Sequence, residues 1–277
     1  MIEKGTIIKN ISNLYVVSTP LGEISCTPRG LFRYEKITPL VGDTVDIDVE
    51  NKYIIKIHER TNVLSRPAVA NIGHAVIVTS MKEPDFSPLL LDKLIVRFLS
   101  KNAEPILIFT KLDKCSSEDL EEYKKLERYY TSLGYAVVTN ENIEKIKKIL
   151  EGKIAFLAGQ TGAGKSSLIN KLSNDLDLKT SPISKALGRG VHTTRHTELY
   201  KIDSFFIADT PGFSSIDLSD IDRRDLRFYF AEFENFPCKF RDCEHIKGIC
   251  SVMENVENGN ILESRYKSYK KIHEEIK

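Results

Sequence analysis

The chain has 277 residues, too many for one small domain, and we expect two or three domains with a substantial core. Its 40 Lys and Arg residues nearly balance its 39 Asp and Glu residues, so contact with nucleic acid must use local patches rather than a global positive field. Residues 1–10 are charged and do not fit a signal peptide, and no apolar run reaches the ~20 residues that span a bilayer. We therefore expect a cytoplasmic protein with no membrane partner, in which thiols stay reduced.

Residues 1–64 are expected to form a small domain of short strands. Polar and apolar residues alternate in several of these segments, and glycine, proline and asparagine separate them. The predicted strands are Thr6–Lys9, Leu14–Ser18, Glu23–Cys26, Thr44–Val49 and Tyr53–Ile57. Five short strands in a segment of this length favour a closed β-barrel of the oligonucleotide-binding (OB) type.

Basic and aromatic side chains of this first domain suit a surface that neutralises phosphates and stacks on the bases of single-stranded nucleic acid. These residues are Lys9, Arg29, Phe32, Arg33, Tyr34 and Lys36. They are equally compatible with a solvated barrel rim and ordinary core aromatics, because a barrel of this type does not fix function.

Residues 65–221 are expected to form an α/β domain, because apolar strands alternate with amphipathic helices. Ser87 and Pro88 are typical of a helix start, and the apolar run at 105–109 is typical of a parallel strand covered on both faces. The pattern predicts a doubly wound sheet. Its predicted strands are Ala75–Thr79, Pro105–Phe109, Tyr135–Val138, Ile154–Ala158, Thr197–Ile202 and Phe205–Ala208. Its predicted helices include Leu89–Lys101, Ser117–Leu133 and Ile143–Glu151.

A glycine-rich segment, GQTGAGKSS, lies between a predicted strand and a helical pattern. It consists of Gly159, Gln160, Thr161, Gly162, Ala163, Gly164, Lys165, Ser166 and Ser167. Its glycines permit positive φ angles, so that backbone N–H groups and a helix N-terminus form a nest for phosphate oxygens. Lys165 adds a charge for the β- and γ-phosphates, and the Ser166 hydroxyl can bind Mg²⁺. The strand–loop–helix context favours a phosphate-binding loop over a chance glycine-rich turn.

A short base-reading segment follows the buried strand Pro105–Phe109 and consists of Thr110, Lys111, Leu112 and Asp113. A carboxylate there can accept two hydrogen bonds from N1 and N2 of guanine, a pattern that adenine does not offer. The lysine stem can pack over the base, and unpaired buried groups would reject the wrong base. The pattern [NT]KxD is short and common, so its position at the end of a strand is what supports guanine recognition.

Two segments typical of a nucleotide switch follow the phosphate loop. Residues 188–196, GRGVHTTRH, are rich in glycine, hydroxyl and basic groups. Thr193 or Thr194 is positioned to complete a magnesium shell. Asp209, at the end of a predicted strand, can hold Mg²⁺ through water, and the N–H of Gly212 can meet a γ-phosphate.

Cys238, Cys243, His245 and Cys250 supply three sulfurs and one imidazole at ligand-like spacing. In a reducing compartment, four such ligands without an evident open position favour a closed structural zinc site over unpaired thiols. Helices are predicted on both sides, over Asp222–Glu234 and Glu257–Lys277. Residues 222–277 are therefore expected to form an α-helical zinc-binding domain that needs its metal to fold.

The predicted terminal helix carries basic and aromatic residues that suit RNA binding or an ordinary solvated face. They are Arg265, Tyr266, Lys267, Tyr269, Lys270 and Lys271.

The order of these segments is unusual for a guanine-nucleotide switch, in which the base-reading motif ordinarily comes last. Here it precedes the phosphate loop, and no second [NT]KxD follows Gly212. The G domain must therefore be circularly permuted, which is feasible because domain termini often lie close together. With a barrel in front and a zinc motif behind, the whole chain resembles the family of circularly permuted, ribosome small-subunit-dependent GTPase A.

The resemblance implies GTP hydrolysis stimulated by the small ribosomal subunit, a role in late maturation of that subunit and contact with its ribosomal RNA. It implies GTP or GDP, Mg²⁺ and one structural Zn²⁺ as ligands, and we expect a monomer. The family usually has asparagine where this chain has Thr110. We expect this departure to affect loop bracing and affinity more than guanine preference.

Phe213 stands where Ras-like switches carry a glutamine that orients the attacking water, and its side chain cannot hydrogen-bond water. His192 is the nearest residue able to do so, and the resemblance points to a histidine at this position. We therefore expect His192 to position the water; the alternative is a loop histidine without a catalytic role.

Two other functions stay open. One is an RNA-binding assembly module that uses GTP as a switch ligand with incidental hydrolysis, which Phe213 favours. The other is an ATP-using P-loop enzyme, which Lys111 and Asp113 oppose.

Overall fold

The computed structural model describes residues 1–34, 36–65, 67–173, 198–208 and 216–276. None of the helices in these ranges combines the length and apolar character that a membrane crossing requires.

The N-terminal strands close into a barrel, as predicted. Around the barrel the strands follow the order β1-β2-β3-β5-β4, with β3 parallel to β5 and the other recorded pairings antiparallel. Alternate side chains such as Ile7, Val17 and Ile47 are fully buried in its core. The elements are β1 (Ile2–Ile11), β2 (Leu14–Thr19), β3 (Gly22–Pro28), helix α1 (Gly30–Tyr34), β4 (Thr44–Asp48) and β5 (Tyr53–Ile57).

One residue of the predicted nucleic-acid surface, Phe32, is buried in the structure. Phe32 is only 7% exposed because α1 turns it into the barrel core, so it cannot stack on a base. Tyr34 on the same helix is 87% exposed. Lys9 is engaged in an ion pair with Glu198 of the α/β domain, with 2.9 Å between Nζ and Oε1. Arg29 and Lys36 are exposed, and a nucleic-acid role for the rim stays a prediction.

The described strands of the α/β domain form a six-stranded sheet in the order β10-β9-β8-β11-β13-β12. All neighbours are parallel except the edge pair β12 and β13, which agrees with the predicted doubly wound domain. A hairpin of β6 (Val63–Ser65) and β7 (Ala68–Ala70) joins the barrel to this sheet. The strands are β8 (His74–Ser80), β9 (Glu104–Thr110), β10 (Ala136–Thr139), β11 (Ile154–Ala158), β12 (Leu199–Ile202) and β13 (Phe205–Ala208).

Helices cover both faces of the sheet and begin where capping residues predict. The Ser87 side chain accepts a hydrogen bond from the N–H of Leu90 at 3.4 Å, and Pro88 takes the first helical position. Ser116 and Asp119 form a reciprocal capping box at the next helix. The helices are α2 (Pro88–Leu99), α3 (Ser117–Ser132), α4 (Ile143–Leu150) and α5 (Lys165–Leu172).

The C-terminal region differs from its predicted helices. Instead of one α-helix over Asp222–Glu234, two 3₁₀ helices form, Arg223–Tyr229 and Ala231–Asn235. Side chains three residues apart eclipse each other in this tighter geometry. Phe230, which lies between the two 3₁₀ helices, stacks on Phe233 of the second, with ring centroids 5.4 Å apart.

The predicted helix Glu257–Lys277 is confirmed over Glu263–Glu275, but its predicted start is wrong. Helix α6 (Ser251–Glu257) stops where Gly259 adopts a left-handed φ of 76°, and α7 (Glu263–Glu275) starts afresh. Glycine just past the C-cap is the usual helix stop, because it lacks the Cβ that disfavours this conformation.

A buried ion-pair network fastens α7 to the α/β domain. The Arg265 guanidinium, fully buried, lies 2.5 Å from the Asp92 carboxylate of α2 and 2.7 Å from that of Glu232. The Tyr130 hydroxyl donates to Asp92 at 3.0 Å. Arg265, Tyr266 and Tyr269 are therefore core residues, so neither an RNA-binding nor a solvated role fits them. Lys267, Lys270 and Lys271 are the exposed members of that set.

Candidate nucleotide site and candidate metal centre

Three loops that leave neighbouring parallel strands meet at one edge of the sheet. Strands β9, β8 and β11 lie side by side and run in the same direction, so their carboxyl ends share that edge. The base-reading segment follows β9 and the phosphate loop follows β11. Between them, the loop after β8 comprises residues 81–86, which we call the clasp. Carboxyl ends of parallel strands are the usual ligand position in such sheets.

The phosphate loop has the backbone that its glycines predict. Gly159 has a φ of 136°, and a Cβ there would lie 2.0 Å from the carbonyl oxygen of Val78 on β8. Gly164, with a φ of 96°, forms the N-cap of α5. Any larger residue at these two positions would strain the loop or push it away from the sheet.

Lys165 folds back onto its own loop. Its Nζ donates to the carbonyl oxygens of Gly159 at 2.7 Å and Gln160 at 2.8 Å. Burial lowers the pKa of Lys165, because removal from water disfavours the charged ammonium. A phosphate oxygen is a stronger acceptor than these carbonyls, so this ammonium is poised to exchange them for an anionic ligand.

Thr110 joins the base-reading segment to the phosphate loop. Its hydroxyl donates to the carbonyl oxygen of Ala163 at 2.7 Å and lies 3.3 Å from that of Thr79. Thr110 is 2% exposed and Ala163 is fully buried. The sequence predicted weaker bracing of this loop because threonine replaces asparagine. In the structure the Thr110 hydroxyl itself links the loop to the phosphate loop.

The remaining base-reading residues lie next to this brace, with Lys111 and Leu112 half-buried. Lys111 adopts a left-handed φ of 58°, and a short 3₁₀ helix, Leu112–Lys114, carries the exposed Asp113. Ser166 and Ser167 open α5 and are exposed. The structure thus brings the predicted residues 110–113 and 159–167 to one site.

Several predicted site residues lie outside the described part of the chain. They are His192, Thr193, Thr194, Asp209 and Gly212. Their predicted roles therefore stay predictions.

The clasp is the part of this site that sequence reasoning missed. The N–H of Met81 donates to the carbonyl oxygen of Thr110 at 3.3 Å, the ammonium of Lys111 donates to the carbonyl oxygen of Glu83, and Lys114 pairs with the Glu83 carboxylate. The Lys114 ammonium holds the pKa of that carboxyl below its usual value. In the sequence, only its position could have indicated a role for the clasp. It follows β8, the strand that lies between the two strands whose loops carry recognised motifs.

The four predicted zinc ligands converge at one point. The donor atoms of Cys238, Cys243, His245 and Cys250 all lie within 4.8 Å of one another. The Nδ1 atom of His245 is 3.4 Å from the sulfurs of both Cys238 and Cys250, and those sulfurs are 3.6 Å apart. A tetrahedral zinc with ordinary bond lengths has ligand separations of roughly 3.5–3.8 Å, so these three donors are spaced to hold the ion, and the Cys243 sulfur lies close enough to be the fourth ligand.

Tyrosine side chains of α7 hydrogen-bond to the main chain of the loop that carries Cys243 and His245. The Tyr266 hydroxyl donates to the carbonyl oxygen of His245 at 2.8 Å, and the Tyr269 hydroxyl to that of Glu244 at 2.6 Å. Arg227 donates to the carbonyl oxygen of Cys243 at 3.1 Å. These contacts fix the backbone that carries the ligands, which is the ordinary role of groups around a metal site.

Comparison with known proteins covers almost the whole chain. The family described as RsgA GTPase matches residues 57–219, and that described as RsgA N-terminal domain matches residues 4–54. The small ribosomal subunit biogenesis GTPases RsgA of Halalkalibacterium halodurans and Bacillus cereus are each 44% identical over 99% of this chain and 97% of their own length.

Solved structures agree with these sequence matches. The crystal structure of YjeQ from Thermotoga maritima superposes with a TM-score of 0.85 at 33% identity, over 100% of this chain and 99% of that one. The crystal structure of YloQ, described as a circularly permuted GTPase, superposes with a TM-score of 0.84 at 35% identity, over 100% and 95%.

Proposed function

The chain belongs to the RsgA GTPase family, and we propose that it hydrolyses GTP during late maturation of the small ribosomal subunit, in a reaction that the subunit stimulates. Family membership makes it a GTP-hydrolysing P-loop enzyme of ribosome biogenesis, with GTP or GDP and Mg²⁺ as its ligands. Our proposal adds two points to family membership: that the subunit stimulates hydrolysis, and that the protein acts late in maturation of the subunit.

The observation that best supports a nucleotide site built from these two loops is the hydrogen bond between Thr110 and Ala163. It locks the segment that would read the base to the loop that would hold the phosphates, across 53 residues of sequence. Both loops lie at the carboxyl edge of the sheet, where open α/β sheets bind their ligands.

Each residue in this site has a proposed role. Asp113 accepts two hydrogen bonds from guanine, while Lys111 packs over the base and Thr110 and Leu112 shape the loop. The backbone N–H groups of the phosphate loop cradle the phosphates, with Lys165 on the β- and γ-phosphates. The loop residues are Gly159, Gln160, Thr161, Gly162, Ala163, Gly164, Lys165, Ser166 and Ser167.

Bound Mg²⁺ would neutralise charge that develops on the transferred phosphoryl group. Ser166, Asp209 and either Thr193 or Thr194 would hold it, and the N–H of Gly212 would contact the γ-phosphate. His192 would position the attacking water, since Phe213 has no group to do so.

We further propose that the Cys3His cluster holds one structural Zn²⁺. The donor set and separations fit a closed tetrahedral site, and the ligand loop is backed by hydrogen bonds from α7. This module and the barrel rim would contact ribosomal RNA of the small subunit, with the protein acting as a cytoplasmic monomer.

Turnover measurements with purified small subunits test this function. We expect GTP hydrolysis to rise strongly when subunits are added, and ATP hydrolysis to stay negligible. Unstimulated GTP turnover would instead support an assembly module with incidental hydrolysis, and a preference for ATP would exclude guanine recognition.

Replacing His192 with alanine tests its proposed role in positioning the attacking water. The substitution should abolish most of the stimulated rate of GTP hydrolysis, and an unchanged rate would show that His192 has no catalytic role.

A further inference from the structure

We propose that Glu83 of the clasp is a positioning residue for the nucleotide base, because its main-chain carbonyl holds the Lys111 ammonium in place. This inference rests on the proposed function, in which the stem of Lys111 packs over guanine. It adds a third loop, residues 81–86, to the two loops with recognised nucleotide-binding patterns.

The clasp is fastened to the base-reading side by contacts along its length. Its first backbone N–H, from Met81, donates to the carbonyl oxygen of Thr110 at 3.3 Å. Lys82 reaches Asp119 at the start of α3, with 3.0 Å between Nζ and Oδ1. Phe86 packs against Phe109 of β9, with ring centroids 6.0 Å apart. The clasp is therefore fixed against the same elements that carry residues 110–114.

Glu83 lies at the point where the clasp meets the two lysines of the base-reading segment. Its φ of 54° is left-handed. This conformation turns the Glu83 carbonyl toward Lys111, whose ammonium donates to it. Lys111 is itself left-handed, with a φ of 58°, so both partners are held in uncommon backbone geometry.

The carbonyl rather than the carboxylate of Glu83 is the operative group. The carboxylate pairs with Lys114, and the two side chains are 68% and 44% exposed, so water screens that pair strongly. The hydrogen bond to the carbonyl also lies at the surface, but it is made to the main chain and therefore restrains a lysine that has a long flexible stem. A restrained lysine loses less freedom when it packs on a base, and this lowers the entropic cost of binding.

The clasp also touches the phosphate side of the site. A Cβ at Gly162 would lie 3.5 Å from the Cδ atom of Pro84. The residue after Glu83 therefore limits the space beside the phosphate loop, while Glu83 itself contacts the base-reading segment. A change in the backbone at position 83 would therefore alter both the base-reading segment and the space beside the phosphate loop.

The test compares two substitutions at position 83 by the rate at which a fluorescent GDP analogue leaves the protein. Glu83→Gln removes the charge but keeps a similar shape and backbone preference, and we expect release to change by less than about fivefold. Glu83→Val disfavours the left-handed backbone and moves the carbonyl, and we expect release at least about tenfold faster. The KM for GTP should rise with it, while kcat at saturation stays near that of the wild type.

Two controls separate positioning from loss of stability. Asn102 has a similar left-handed φ of 53° in the turn after α2, at the opposite edge of the sheet, so Asn102→Val applies the same backbone strain away from the site. It should leave nucleotide release unchanged. Lys111→Met keeps an unbranched stem without the ammonium, and should speed release as Glu83→Val does. The two changes combined should add little, because they remove the same contact.

Three results would overturn the inference: release from Glu83→Val at the wild-type rate, equal acceleration by Glu83→Gln, or fully additive effects of Glu83→Val and Lys111→Met. Failure of the proposed function is distinguishable in the unmodified protein: absence of stimulation by subunits would leave selective GDP binding intact, and absence of guanine recognition would abolish that selectivity.

Discussion

Replacing Thr110 with valine tests whether one hydroxyl braces the nucleotide site. Valine keeps the shape of threonine but cannot donate to the carbonyl oxygen of Ala163, now 2.7 Å from the hydroxyl. Both residues are shielded from water, so the carbonyl would lose its partner without replacement. Leaving a buried acceptor unpaired costs about 1–3 kcal/mol. If half of that cost weakens the ordering of the phosphate loop, the Kd for GDP rises by about two- to tenfold.

The assay is titration of the protein with a fluorescent GDP analogue, alongside thermal unfolding to separate affinity from stability. Thr110→Ser is the matched control, because it keeps the donor and loses only a methyl group near Gly164. We expect the serine variant to bind GDP far better than the valine variant. Wild-type affinity in Thr110→Val, or equal loss in the serine variant, would refute the bracing role.

Three further predictions concern the rest of the molecule. Arg265→Met should lower the free energy of unfolding by about 3–5 kcal/mol, measured by chemical denaturation, because it leaves two buried carboxylates without their cation. Removal of metal with a chelator should make residues 216–276 susceptible to limited proteolysis and weaken binding to small subunits, while GDP binding persists. Burial lowers the pKa of His74, so the unfolded chain takes up its proton first as the pH falls. The stability present above a pH of about 6.5 should decline below it, and His74→Gln should show a shallower decline in Tm; identical pH profiles would exclude His74 as the cause.

Local pattern was sufficient wherever a chemical function depends on residues close together in sequence. The phosphate loop needs glycines, a lysine and a serine in one short stretch, and the zinc site needs four ligands in another; the ligands converge as expected. The start of α2 at Ser87 and Pro88 was also predicted correctly, because helix capping depends on residues within one turn. The doubly wound sheet followed from the alternation of apolar strands and amphipathic helices.

Features set by long-range packing were not accessible in this way. Arg265 reads as a surface cation on a basic helix, yet it is buried because Asp92 and Glu232 are brought to it by the fold. Phe32 similarly reads as an exposed aromatic, and the closure of the barrel buries it. The clasp carries no recognised pattern, and its importance arises only because β8 ends between β9 and β11. In each case the deciding contact joins residues that are distant in sequence.

Helix α2 has a mechanical consequence for the whole molecule. Its first turn directly follows the clasp, its middle is pinned by Asp92 to Arg265, and its last turn is held by an ion pair between Arg97 and Asp220, with 2.6 Å between Nη1 and Oδ1. Twelve residues of α-helix form a stiff rod about 18 Å long. Because Asp92 and Arg97 tie this rod to Arg265 and Asp220 of the C-terminal region, we expect a displacement of that region to shift the clasp, which lies directly before the rod.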